Sequence, residues 1–360
     1  MSAPQSKLQF RNGIEMPNRF ALAPLTNTQS HENGQLSKEE FKWLTMRAEG
    51  GFGMVITCAS HVQEIGKGFP GQLGIFDDRL NEGHLKLTSK IKEYGSLAII
   101  QLHHAGMRTP IELIDNQKAV SASDIEAYNA RALTLEEIDI LKNDFIAAAV
   151  RAQKCGYDGV EIHGAHGYII AQFLSSEFNH RKDKYGGSLE NRAKLLFDIV
   201  DGVRKACGTK FLLGVRLSPE KFGMDIAEIK WMIEKLISDG KIDFIDISLW
   251  DCFKLPTNEK YQNKVLIHHF TAIDFKDVKW MVAGKIYTAQ DVRNVLDAGA
   301  DIVSIGTAAI LHHDFPKQVI NNFNFTPIET PVSIQHLINE GLSSKFIQYL
   351  KKWPNLIEKD

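Results

Sequence analysis

The chain of 360 residues has only four cysteines, Cys58, Cys155, Cys207 and Cys252, and no two of them form a C-x-x-C pair. That spacing excludes a zinc ribbon, a thioredoxin-like motif, a cysteine-ligated iron–sulfur cluster and a disulfide framework. Four reduced thiols in a cytoplasmic protein are the expectation. No run of about 18 apolar residues exists to span a membrane. The opening MSAPQSKLQFRNGIE lacks the apolar stretch of a secretory signal. Neither sign of charge is in excess: 42 Lys plus Arg face 44 Asp plus Glu, a net −2, so there is no basic footprint for nucleic acid or anionic lipid. Internal repeats and low-complexity tracts are lacking. So is a G-x-G-x-x-G after any early strand, which argues against an open doubly wound sheet.

What is present is an alternation. Short apolar runs at Phe20–Ala23, Met54–Thr57, Leu97–Leu102, Gly159–Ile162, Phe211–Leu217, Phe244–Ser248, Trp280–Ala283 and Ile302–Ile305 are separated by segments of helical period. Such runs suit parallel strands buried on both faces. Helix starts are marked by Ser37 with Glu40 and Thr134 with Glu137, both fitting the capping box, and by Ser188 and Thr288. Eight strand–helix pairs predict a (β/α)8 TIM barrel over about residues 19–325. Asn12-Gly13 predicts a β-hairpin at about 7–18 that plugs the barrel bottom. A tail over about 326–360 completes one domain, although length alone suggests two or three. The connections Ile111–Arg131 and Phe253–Phe270 follow strands, and so belong to the top face where barrel loops build active sites.

Polar and small residues gather at the strand ends, which converge on one mouth in a barrel: Pro24, Leu25, Thr26, Cys58, Ala59, Gln101, His163, His166, Arg216, Ser248, Gly284 and Gly306. In HGAHGY, His163 and His166 could be structural, could share a metal with His103 and His104, or could hold a substrate oxygen while Tyr168 donates a proton. Glu161 is the one carboxylate at a useful strand end, and its direction is undecided. Arg216 is either a paired structural cation or a charge set against a flavin's N1–C2 edge. Gln101 is either a solvated amide or a partner of the same pyrimidine edge. Gly284 with Lys285, and Gly306 with Thr307, make either ordinary glycine turns or a phosphate cradle.

The run HGAHGYIIAQFLSSEFNHRKDKYGGSLENRAKLLFDIV resembles the signature of the Old Yellow Enzyme family of FMN-dependent oxidoreductases, through Asn179, Arg181, Asp183, Tyr185, Gly186, Gly187, Ser188, Glu190, Asn191 and Arg192. NRFALAPLTN, IIQLHHAG, GVRLS and VSIG extend the resemblance over about residues 7–315. It implies tightly bound, non-covalent FMN. Pro24, Leu25, Thr26 and Ala59 would lie at the ring and Gln101 at its pyrimidine edge. Arg216 would sit at N1–C2=O, with Gly284, Lys285, Gly306 and Thr307 near the phosphate. It further implies that NADPH or NADH is the hydride donor and a small alkene activated by a carbonyl or nitro group the acceptor. His163 and His166 would bind the acceptor's oxygen and Tyr168 would protonate its α carbon. No metal, membrane or nucleic acid is implied, and a homo-oligomer is left open. Thr307 stands where the family usually has an arginine reaching the phosphate, and His103 where relatives often carry Trp or a small residue. A flavin-binding barrel with lost or altered chemistry, such as NAD(P)H oxidation, is the alternative.

Overall fold

The computed structural model describes residues 3–358. It begins with an antiparallel hairpin, β1 (Leu8–Gln9) against β2 (Glu15–Met16). Gly13 takes φ +88°, the left-handed conformation that an Asn-Gly turn needs and a Cβ disfavours. Leu8, Phe10 and Met16 are buried in one apolar cluster with Ala21, Met54, Leu97, Leu212 and Phe244, all at or near strand starts. The hairpin therefore closes the N-terminal end of the barrel, as the sequence predicts.

All eight apolar runs are strands. β3 (Phe20–Leu22), β4 (Met54–His61) and β5 (Leu97–His103) come first, and then a two-stranded parallel sheet, β6 (Ala119–Ser121) with β7 (Ala130–Ala132), within the connection after β5. There follow β8 (Gly159–Gly164), β9 (Leu212–Leu217), β10 (Phe244–Ser248), β11 (Lys279–Ala283) and β12 (Ile302–Ile305). β3, β4, β5 and β8–β12 close in that order into a parallel barrel, with β12 returning to β3 through Ser304 opposite Ala21. Each is buried on both faces except at Lys279, because the interior is filled by side chains and helices cover the outside. The barrel core is tightly filled: a Cβ on Gly214 would lie 2.1 Å from the Phe244 ring.

The helices are α1 (Lys38–Glu49), α2 (Asn81–Glu93), α3 (Leu135–Lys154), α4 (Ile169–Leu174), α5 (Leu189–Cys207), α6 (Ile226–Ser238), α7 (Ala289–Asp297), α8 (Thr307–Leu311), α9 (Phe315–Asn321), α10 (Ile334–Asn339) and α11 (Ser344–Leu350). Ser188 caps α5 and Thr288 caps α7, and Thr134 with Glu137 completes a capping box on α3. The box expected at Ser37 and Glu40 is only half made. Ser37 Oγ accepts from Glu40 N at 3.0 Å, but the Glu40 carboxylate turns to Asn27 Nδ2 at 3.0 Å and to Ser30 Oγ. A fully buried carboxylate must be satisfied where donors exist, and here they belong to the loop after β3.

The C-terminal stretch, which carries no recognisable motif, packs on α1 through Trp43 against Phe346, ring centroids 5.5 Å apart. Buried Arg47 ties it down by donating to Glu340 O at 2.8 Å and to Ala309 O at 3.0 Å. No described helix is long and apolar enough to cross a membrane.

Candidate active site

Strand alternation places Gln101, Glu161, Arg216 and Asp246 in one buried layer of the barrel, with His103, His163 and Ser248 two residues further along their strands toward the mouth. Gln101 Nε2 donates to Glu161 Oε1 at 2.6 Å, and Arg216 Nε lies 3.1 Å from Asp246 Oδ2. Glu161 thus points inward, which sequence alone left undecided. Asp246 escaped the sequence reading altogether, because it sits in the apolar run FIDIS. Burial, then the neighbouring Asp246 carboxylate, pushes Glu161 up to about 8, while the Arg216 guanidinium pulls it back. Burial likewise raises Asp246 against the opposing pull of Arg216. One cation between two carboxyls leaves the layer neutral when the pair keeps one proton.

Above this layer the polar groups form a chain. His163 Nδ1 accepts from Ala165 N at 3.2 Å, so in the neutral ring the proton sits on Nε2, 3.2 Å from His166 Nδ1. His166 Nε2 then donates to Ser248 Oγ at 2.9 Å, and Arg216 Nη2 donates to the same oxygen at 3.2 Å. Burial, followed by the neighbouring histidine and Arg216, holds His163 far below its ordinary value. Burial and Arg216 do the same to His166. Both are therefore neutral hydrogen-bonding groups. His103 and His163 flank Tyr168, with ring centroids at 4.3 and 5.0 Å. The Tyr168 hydroxyl has no hydrogen-bond partner among the described residues, and burial raises its pKa, so it stays a proton-bearing phenol.

Beside this cluster lies a cleft lined by Pro24, Leu25, Arg216, Ser248, Gly284, Lys285, Gly306 and Thr307. Eight of the sequence-identified residues thus meet in one place, and Ser248 among them joins the cleft to the histidines. Gly284 takes φ +153°, and a Cβ there would stand 3.1 Å from Asp251 N, so the β11 turn is held close against the loop after β10. Ser304 Oγ is buried at the cleft without a partner. Lys285 Nζ is already 3.1 Å from Asp251 Oδ2.

Thr26, Ala59 and Gln101 do not line the cleft. Gln101 is turned to Glu161, and Ala59 O accepts from Gln72 Nε2 at 2.6 Å. A register shift in β4 between Ile56 and Ala59 sends the Cys58 thiol to Glu40 rather than to the mouth. No group of three or more His, Cys, Asp or Glu among the described residues could hold a metal.

The residues of the most specific sequence motif touch none of this. Asn179 Nδ2 donates to Phe173 O at 2.6 Å and Tyr185 O at 2.7 Å, and Arg181 donates to Ala122 O and Leu133 O while pairing with Asp183. Arg192 Nε donates to Leu174 O at 3.0 Å. They staple the segment between α4 and α5 and so fix the base from which His166 and Tyr168 project. Three residues at the mouth went unnoticed in sequence: Arg108, Lys221 and Trp250. Each is a lone residue in a loop, without pattern.

A profile of the NADH:flavin oxidoreductase / NADH oxidase family matches residues 7–325. The chain is 35% identical over 320 residues to the probable NADH-dependent flavin oxidoreductase YqiG of Bacillus subtilis (strain 168), with 86% of each chain covered. It is 32% identical over 336 residues to the NADPH dehydrogenase of the same organism, covering 89% of this chain and 95% of that one. Several other relatives are longer, and the chain spans 33% to 48% of them. The solved structure of the old yellow enzyme homologue from Zymomonas mobilis superposes with a TM-score of 0.80 at 27% identity, covering 95% of this chain and 99% of that one.

Proposed function

Because this chain belongs to the NADH:flavin oxidoreductase / NADH oxidase family, the Old Yellow Enzyme group, and is an oxidoreductase, we propose that it binds FMN in the cleft and reduces alkenes activated by a carbonyl or nitro group. The supporting observation is the convergence of His163, His166, Tyr168 and Arg216 on one mouth. The cleft residues fit FMN. Arg216 offers a cation to the N1–C2=O edge, Pro24 and Leu25 offer apolar contact, and the unpartnered Ser304 hydroxyl offers a free polar group. The turns at Gly284, Lys285, Gly306 and Thr307 would take the phosphate.

FMN, when bound, supplies the redox chemistry, accepting hydride from NADH or NADPH and passing it to the alkene's β carbon. The protein orients and polarises. His163 Nε2–H donates to the substrate oxygen in place of its present contact with His166, which draws electrons from the alkene. Donors aimed at that developing charge contribute about 2.7–4 kcal/mol. The Tyr168 hydroxyl, free of protein partners, gives its proton to the α carbon.

The protein as isolated is expected to be yellow, to bleach anaerobically with NADH or NADPH, and to recover its colour on adding cyclohexenone. A colourless preparation that takes up no FMN would sink the proposal. The phosphate site carries its own expectation. With threonine at 307 and Lys285 held by Asp251, the phosphate lacks a bidentate cation. Thr307→Arg should tighten FMN binding by roughly tenfold or more, measured by flavin fluorescence quenching. An unchanged dissociation constant would place the phosphate elsewhere.

A further inference from the structure

Two cations at the mouth have no acid to answer them. Arg108, in the turn after β5, lies 4.8 Å from the centre of the Tyr168 ring and 5.4 Å from that of Phe222, and it donates to the His166 carbonyl. Lys221, in the loop after β9, holds its Nζ 4.1 Å over the Trp250 ring, and that ring stands 5.3 Å from His166. Both cations are exposed, and neither forms an ion pair with any described residue. Glu220 is 2.5 Å from Lys254 and Asp251 is 3.1 Å from Lys285, while Glu177, whose backbone packs beside Gly223, pairs with neither cation. Arg216, deeper in the site, is answered by Asp246. With the histidines neutral, Arg108 and Lys221 are the cations at the opening that no ion pair answers among the described residues.

The backbone at the same place is unusual. His166, Lys221, Phe222 and Trp250 have φ of 60°, 66°, 54° and 61°. Residues with a Cβ avoid this region, and such conformations persist only where the surroundings impose them. Three loops spend that cost around one opening, and the result places an arginine and a lysine on aromatic faces. A cation already held against a ring loses little further freedom when it meets an anion.

We propose that the alkene reduced here carries a carboxylate, which Arg108 and Lys221 hold while its carbonyl meets His163; this rests on the reading above that the mouth takes an activated alkene. The arginine fork matches a carboxylate bidentately, and the lysine adds a point charge from the neighbouring loop. The phosphates of NADH carry the same oxyanion chemistry, so the dinucleotide is the competing source of the anion.

A matched pair of probes separates these cases: β-acetylacrylate, an enone bearing a carboxylate, and its uncharged methyl ester. With the FMN-loaded protein at fixed NADH, kcat/KM should favour the carboxylate. That preference should shrink as salt approaches about 1 M, where screening acts over about 3 Å. Arg108→Gln and Lys221→Gln should each lower the carboxylate-to-ester ratio by roughly tenfold through KM. Calorimetric binding of levulinate, the saturated analogue, should weaken in parallel while methyl levulinate does not. Equal losses for both probes would reduce the two residues to a structural role and overturn the proposal. So would a change confined to the KM for NADH, which would assign the cations to the dinucleotide. Turnover of the ester without any preference for the acid would overturn this inference alone. No turnover of either probe would remove the activated-alkene reading as well.

Discussion

Tyr168→Phe should slow reoxidation of the reduced protein by cyclohexenone roughly 10²–10⁴-fold, the range a positioned general acid contributes. Reduction by NADH should change little, because that step needs no proton at the site. The structure gives this expectation a specific basis. Burial keeps the phenol protonated, with Arg108 only partly opposing, and the hydroxyl donates to no described residue. Its ring is braced edge-on by His103 and His163, so phenylalanine should fit the same space. Stopped-flow measurement of the two half-reactions separates the outcomes. Equal slowing of both would mean that the substitution disturbs the mouth rather than removing a proton.

Arg216→Met should destabilise the protein by about 3–5 kcal/mol near pH 8, the cost of leaving a buried charge without its partner. Glu161 and Asp246 are fully buried, and Arg216 is the cation that pulls both toward ionisation. The sign of the pH dependence follows from the raised carboxyls. Glu161 holds a proton in the folded protein up to about 8, whereas the unfolded chain releases it near the ordinary 4.5. Its contribution is therefore complete below about 4.5 and is lost as pH rises toward 8. Without Arg216 both carboxyls move further up, so the variant's deficit should be small near pH 5 and grow with pH. Urea unfolding at acidic and alkaline pH measures this, and adding Asp246→Asn to the variant should recover part of the loss. A deficit independent of pH would show that Arg216 contributes packing alone.

Much of the barrel is legible because its signals are local. A parallel strand buried on both faces must be a short apolar run, and Asn-Gly must turn, whatever surrounds them. Thr134, Ser188 and Thr288 cap their helices within the same few residues. Glu161 shows where this stops. When both faces of a strand are buried, alternation does not say which face is the barrel interior, so the direction of a lone acid is open. Asp246 was hidden for the same reason. The Ser37–Glu40 box stayed half made because Glu40 found better donors in another loop, and Cys58 turned outward because β4 carries a bulge. The β6–β7 sheet and the docking of α11 on α1 depend on partners far along the chain.

By itself, then, the sequence determined the eight barrel strands, the hairpin turn, four helix starts and the family, since each rests on short-range pattern or on the contiguous Asn179–Arg192 signature. Tertiary structure alone decided which charge answers which. Arg216 meets Asp246 from a neighbouring strand, Glu161 meets Gln101 across 60 positions, and Lys285 is taken by Asp251. It also left Arg108 and Lys221 unanswered at the rim of the mouth. Electrostatic partnership acts through space, and only barrel closure sets those distances.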